Sequence, residues 1–345
     1  MKRFIAHISF IFIILMCIFS KECIESAKQA VNTCVYVLLP SLFPFFVFSK
    51  IFILTGGAEK LGRYFSNLTK ILFNVSPICA SSFVLGILCG YPVGAKSSVD
   101  LYNNKNITKD EAQNLIGFCN NSGPLFLIGA VGIGMFSSKK IGIMLYLVHI
   151  LSAISVGIIL RTNIKNTITK KENNNILIQE NIFVKSVEES VITILNVFGY
   201  VILFAVIISF VDNIFLSGFF EMTTAIFKIS KSDLTLHQKF VLSAFFASWG
   251  GLSVHMQTMG IISKSDLSFK KYLFAKLMHG IIAVIYAFAM INIIDFSKFT
   301  FAPNDIYFTS FNPNNILQII NILISGIYLL KMNIILLNKK HFSEE

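Results

Sequence analysis

Residues 78–96 read ICASSFVLGILCGYPVGAK, an apolar run that stops in Gly90, Tyr91, Pro92 and Gly94 and closes on Lys96. A membrane-spanning helix needs roughly 20 apolar residues. This run is marginal for a full crossing and ends in residues that break helices. It reads as a re-entrant hairpin within a chain of membrane helices.

The rest of the sequence agrees. Of 345 residues, 54% are hydrophobic and 14% charged, with a mean hydropathy of +0.71. Soluble domains carry about 25% charged residues, so an ordinary cytosolic enzyme is excluded, and the expected class is an all-α polytopic membrane protein. The net charge of +11 comes mainly from Lys and Arg in short loops. Membrane topology explains that placement. Without a clustered basic face, no nucleic-acid partner is expected. The six Cys (17, 23, 34, 79, 89, 119) show no CxxC or Cys/His ligand spacing and read as small buried hydrophobes.

Working outward, Phe4–Phe19 follows Lys2 and Arg3 and reads as an uncleaved first helix, with a signal peptide as the alternative. Val31–Leu54 holds Pro40 and Pro44, which predict a kinked or broken helix. Glu59–Phe73 has the spacing of an interfacial helix. Thr108 opens a polar helix with Asp110 and Glu111 in its first turn. That helix runs into Cys119-Asn-Asn-Ser-Gly-Pro124, after which Leu125–Phe136 and Ile141–Leu160 are apolar.

A polar basic linker at 161–185 divides the chain. Beyond it, residues 188–210 can be laid on 24–46, so that Glu25/Glu189, Ser26/Ser190, Asn32/Asn196, Tyr36/Tyr200, Leu39/Leu203 and Phe46/Phe210 coincide. SAFFASWGGLSVHMQ (243–257) then occupies the place of SSFVLGILCGYPVGAK (81–96), with Gly251 and Val254 opposite Gly90 and Val93, and Asp266-Leu-Ser resembles Asn106-Ile-Thr as a helix entry. Duplicated halves with interrupted apolar segments in matching places are a transporter signature. The expected organisation is an N-terminal transmembrane helix (1–22), a first gate-like repeat with its following helix (23–160), the linker (161–185), a second repeat (186–294), and a loop, last helix and basic tail (295–345). Crossings are expected near Tyr272–Ile294 and Ile316–Leu337. Charge bias puts the linker and the tail, with Lys339 and Lys340, in the cytoplasm, a topology that Lys139 and Lys140 fit poorly.

Three stretches are candidates for solute binding. In Gly90–Lys96, Gly90, Tyr91 and Gly94 allow close backbone approach at a helix break, and Lys96 supplies a cation; a snorkelling Lys96 is the alternative. In 119–124, Asn120, Asn121 and Ser122 donate and accept several hydrogen bonds at once; a solvent-exposed turn is the alternative. In 248–257, Trp249, Ser253, His255 and Gln257 flank a Gly pair, and the alternation of the last three suggests an extended or hairpin stretch lining a polar space. Trp249 also suits an interfacial belt, and His255 a structural hydrogen bond. His149 and His279 read as satisfied core histidines. The absence of Walker, HExxH and GxSxG patterns and of acids inside apolar spans argues against an enzyme and against a metal transporter. No cofactor is expected, and the coupling ion stays open. Lysine, histidine and amides suit an anionic or polar organic solute.

At these motifs the chain resembles the sporulation integral membrane protein family YlbJ, also called SpoVV. The matching stretches are LLPSLFPFFVFSKI, GYPVGAKSSVDLY, ITKDEAQNLIGFCNNSGPLFLIGAVGIGMF and SWGGLSVHMQ. The helix beginning each half also resembles the nucleoside-recognition gate domain. The resemblance implies an architecture like that of concentrative nucleoside transporters. It also implies export of dipicolinic acid, a planar aromatic dianion, across the outer forespore membrane by alternating access. Trp249 stands where that family would be expected to carry Phe. A permease for nucleosides or another polar solute, and a non-transporting sporulation scaffold, are the competing readings. The partners expected are a small anionic solute and membrane lipid, with homo-oligomerisation left open.

Overall fold

The computed structural model describes residues 2–161, 181–210 and 213–293. Among them every regular element is helical. Residues 162–180 of the expected linker, Asp212, the loop from 295, the crossing near Ile316–Leu337 and the basic tail lie outside the described residues, and the linker's last residues, 182–185, already belong to a helix, which shortens the expected linker at that end.

Helix α1 (Lys2–Ile18) is almost wholly exposed. A continuous 35-residue helix follows, built from α2 (Ser20–Thr33), a π-helical turn (Cys34–Leu38) and α3 (Leu39–Leu54). Of the kinked and broken helices that the two prolines predict, the broken one is excluded, because the span runs on through both. A helical proline lacks an N–H and crowds the carbonyl four residues before it. For Pro40 that carbonyl belongs to Tyr36, inside the widened π turn, which takes up the crowding without ending the helix.

Helix α4 (Gly57–Phe73) begins and ends at left-handed residues, Gly56 and Asn74. It packs on α5 (Cys79–Cys89), which breaks at Gly90 (φ +71°) before α6 (Val93–Asn103). Phe73, Phe83 and Phe118 close that corner, with ring centroids 4.5–6.0 Å apart. Helix α7 (Lys109–Cys119) starts in the capping box foreseen at Thr108, closed by Glu111. Glu111 is fully buried and also accepts from the Ser76 amide (2.7 Å) and the Ser76 hydroxyl. The break at 120–124 separates α7 from a π-helix, Leu125–Met135, which packs along α8 (Lys139–Ile159).

The second half contains α9 (Ile182–Ser209), the short α10 (Ile214–Phe220) and α11 (Met222–Lys231), then α12 (Leu236–Trp249), α13 (Gly251–Ile262) and α14 (Phe269–Ile293). Its lead helix α9 lies antiparallel to its sequence counterpart. Cys23 Sγ meets Ser209 Oγ at 3.9 Å near one end, and Lys50 pairs with Glu189 near the other. The matched helix entries are also clasped together. Asp266 accepts from Lys109 Nζ (2.7 Å) and Tyr102 O–H (2.8 Å), while Gln113 exchanges two hydrogen bonds with the Ser268 backbone. The Lys109 ammonium holds the Asp266 carboxyl below its ordinary range.

Among the described residues four helices are long and apolar enough to cross a membrane: Ser20–Leu54, Lys139–Ile159, Ile182–Ser209 and Phe269–Asn292. Each keeps apolar side chains on its outside, such as Leu147 and Leu151 on α8 and Ile281, Ile285 and Phe288 on α14. Water would penalise such faces; lipid does not.

Candidate functional site

Three interrupted helices converge on one buried polar centre. The first break is at Gly90, where a Cβ would lie 2.6 Å from the Gly123 amide nitrogen, so only glycine lets the α5–α6 tip reach the 120–124 break. The second is 120–124 itself. The third is at Gly250–Gly251, both at positive φ, between α12 and α13. The Tyr91 hydroxyl at the first tip donates to the Ala247 carbonyl (3.0 Å) in the last turn of α12, and Ser122 Oγ donates to the same oxygen (3.1 Å). Those two bonds tie two breaks of the first half to one carbonyl of the second.

Asn120, Asn121 and Ser122 are buried to within 1%. Asn120 Nδ2 donates to Thr258 Oγ1 (2.9 Å) and to the Tyr272 hydroxyl (3.0 Å), while Asn121 Nδ2 donates to the Phe118 carbonyl (2.8 Å). The 120–124 stretch is therefore a buried break and not a solvent-exposed turn. Asn120 Oδ1, Asn121 Oδ1 and His255 Nε2 have no protein partner. Among the described residues these are buried polar atoms that the chain leaves unsatisfied, and Ser243 Oγ is a fourth.

Residues 251–262 are helical, which excludes the extended reading of 248–257 and leaves the hairpin one, two helices joined at Gly250–Gly251. The two left-handed glycines redirect the backbone, and no proline follows to stop a new helix. Alternating polar residues then part company. Ser253 and Gln257, four apart on one helix face, both line a cavity, whereas His255 packs the other way, its Nδ1 3.2 Å from the Tyr272 hydroxyl. Trp249 meets His255 edge to face, centroids 4.4 Å apart, with its Nε1–H toward the Phe219 carbonyl (3.4 Å).

The cavity, about 60 Å³, is shared by both halves. Gly90, Tyr91 and Gly123 line it from the first half, and Glu221, Ser253 and Gln257 from the second. Glu221 is buried at the N-cap of α11, where its carboxylate takes the Thr223 (2.9 Å) and Thr224 (2.5 Å) amides. Two of the sequence candidates lie elsewhere. Gly94 faces the Cys119 carbonyl and serves backbone packing. Lys96 is exposed on α6 and is not part of the centre.

The cation at this centre is Lys276, which the sequence reading passed over. It is fully buried on α14, donating to the Asn120 carbonyl (3.0 Å) and to His279 Nδ1 (2.9 Å), with its ammonium 5.5 Å from the Tyr91 ring centroid. His279 Nε2 faces the His149 carbonyl (3.0 Å), and His149 takes the Ser122 amide on Nε2 and meets Ser248 Oγ with Nδ1. Both histidines are satisfied core residues, as expected, although they help to hold the site. A lysine and a histidine three apart inside an otherwise apolar span were the available signal.

Interrupted helices meeting at a buried polar centre, beside long apolar helices of membrane-spanning length, define a polytopic all-helical membrane protein. The chain is 28% identical over 314 residues to the sporulation integral membrane protein YlbJ of Bacillus subtilis (strain 168), with 76% of each chain covered. That likeness supports the YlbJ family for this chain, and with it a sporulation integral membrane protein. No protein-family model and no solved structure matches the chain.

Proposed function

We propose that the protein is an alternating-access transporter that moves a small anionic solute, dipicolinate by family resemblance, across the outer forespore membrane. The observation that carries this reading is the meeting of three helix breaks, at Gly90, 120–124 and Gly250, beside a cavity lined from both halves. Repeats entering a fold in opposite senses, with broken helices at their interface, are how many transporters build a site reachable from either side. On this reading α5–α6 and α12–α13 are re-entrant hairpins whose tips part and close. A cavity of about 60 Å³ holds a few waters at roughly 10–15 Å³ each. Separation of the tips widens it to admit an aromatic dicarboxylate, and the Tyr91 ring in its wall gives that solute a flat surface.

The test is dipicolinic acid content in spores of a strain lacking the gene, beside the same strain carrying the wild-type copy. Low content with accumulation in the mother cell, restored by the wild type, is expected. Normal content in the deletion strain would move the assignment to a permease for another solute or to a scaffold.

A further inference from the structure

We propose that Lys276 is the cation that receives the anionic solute, an assignment that rests on the transporter reading above and moves the charge from the exposed Lys96 to α14. Three observations carry it.

The ammonium is fully buried in a membrane-spanning helix, and no carboxylate among the described residues lies within salt-bridge reach of it. A charge in that position is expensive, and where one occurs it marks a solute or ion pathway by default. Its partners are neutral dipoles, the Asn120 carbonyl and His279 Nδ1. They engage two of the three N–H groups of an ammonium, leaving one to donate.

The two imidazoles are held neutral by their bonds. His279 Nδ1 accepts from Lys276, so its hydrogen sits on Nε2, toward the His149 carbonyl. His149 Nε2 accepts the Ser122 amide, so its hydrogen sits on Nδ1, toward Ser248. Each ring therefore carries one proton, with the tautomer set by its neighbours. Lys276 is the group of the cluster that can carry a positive charge toward an anion.

Tyr91 connects this charge to the cavity. Its ring lines the cavity wall and also carries the ammonium 5.5 Å from its centroid. Tyr91 belongs to the Gly90 tip, the part that moves if the hairpins open. In the closed arrangement the ring stands between solute space and charge. Displacing the tip brings a carboxylate to the free N–H of Lys276.

The experiment measures binding of dipicolinate and of its uncharged dimethyl ester to the purified full-length chain, with Lys276→Met, Lys276→Gln, Lys276→Arg and Lys96→Met beside the wild type. A charge-assisted hydrogen bond lost at a buried site weakens binding by roughly ten- to hundredfold. Lys276→Met and Lys276→Gln should lose that much affinity for the dianion and little for the diester; Lys276→Arg should keep the preference, and Lys96→Met should behave as wild type. Gln retains a donor without the charge, so it remains informative if Met does not fold. A neutral variant that keeps the wild-type ratio of dianion to diester binding overturns the assignment to Lys276, as does an equal loss for both ligands, which marks a structural staple. A wild-type chain that binds no dipicolinate overturns the transport reading itself and this inference with it.

Discussion

Replacing Gly94 with alanine tests whether backbone contact between α6 and Cys119 holds the central break in place. A Cβ on residue 94 would stand 1.9 Å from the Cys119 carbonyl oxygen, 2.7 Å from its carbon and 2.9 Å from the Gly86 Cα. Unstrained contacts between such atoms lie near 3.5 Å, so α6 must retreat by more than an ångström. All the nearest atoms are backbone, and no rotamer change relieves the clash. Overpacking of this kind costs about 1–3 kcal/mol, with the upper end expected here. Alanine returns up to about 1 kcal/mol of helix propensity. The net loss is then about 2 kcal/mol, a fall in Tm of roughly 4–8 °C at about 2–4 °C per kcal/mol. Gly260→Ala is the control, because a Cβ there meets nothing within 4 Å and propensity alone acts. Melting is followed in detergent through Trp249, the only tryptophan. A Gly94→Ala protein that melts within 1–2 °C of the Gly260→Ala protein would show that the Cys119 contact carries no stability.

Glu111→Ala should be among the most destabilising single changes, since it strips acceptors from Ser76 and Thr108 in a buried capping box; a loss of roughly 3 kcal/mol or more is expected in denaturant titration, and a Tm equal to wild type would count against it. Ser209→Cys should form a disulfide with Cys23 under mild oxidation, detectable by mass spectrometry of the linked peptides; failure to link would contradict the antiparallel packing of α9 on α2. The Asp266 carboxyl is held below its ordinary range by Lys109 and Tyr102, so its contribution is present above the unfolded pKa and fades as pH falls through the lowered one. Because the group is solvent-exposed, Asp266→Asn should leave Tm nearly unchanged at neutral pH in physiological salt. A large drop there would show the clasp to be far stronger than an exposed ion pair.

Much of this was legible in advance. Apolar runs of membrane length, the Thr108 cap and the helix entry after Asp266 are local patterns, and each appears where it was expected. Gly90 as a helix break was legible too, because only the φ of glycine and the ring of proline punctuate so strongly. Less legible was whether a break buried a residue or exposed it. Asn120 and Asn121 also suited a surface turn, and the buried setting of Asn120 depends on α14 and α13 supplying Tyr272 and Thr258 from about 140–150 residues away.

By itself, then, the sequence determined the class: too few charges for water, enough apolar length for several crossings, and interruptions at corresponding places in two halves. Hydropathy and backbone permissiveness are properties of a residue and its near neighbours, and they survive any folding of the chain. Which lysine lies at the centre is a different kind of fact. Lys96 sits beside the conspicuous Gly/Pro motif yet points outward, whereas Lys276 sits in a plain apolar helix and is buried because Asn120 and His279 meet it there. A charge is placed by the partners that solvate it, and for Lys276 one of those partners comes from a segment some 150 residues earlier, so only the tertiary structure decided it.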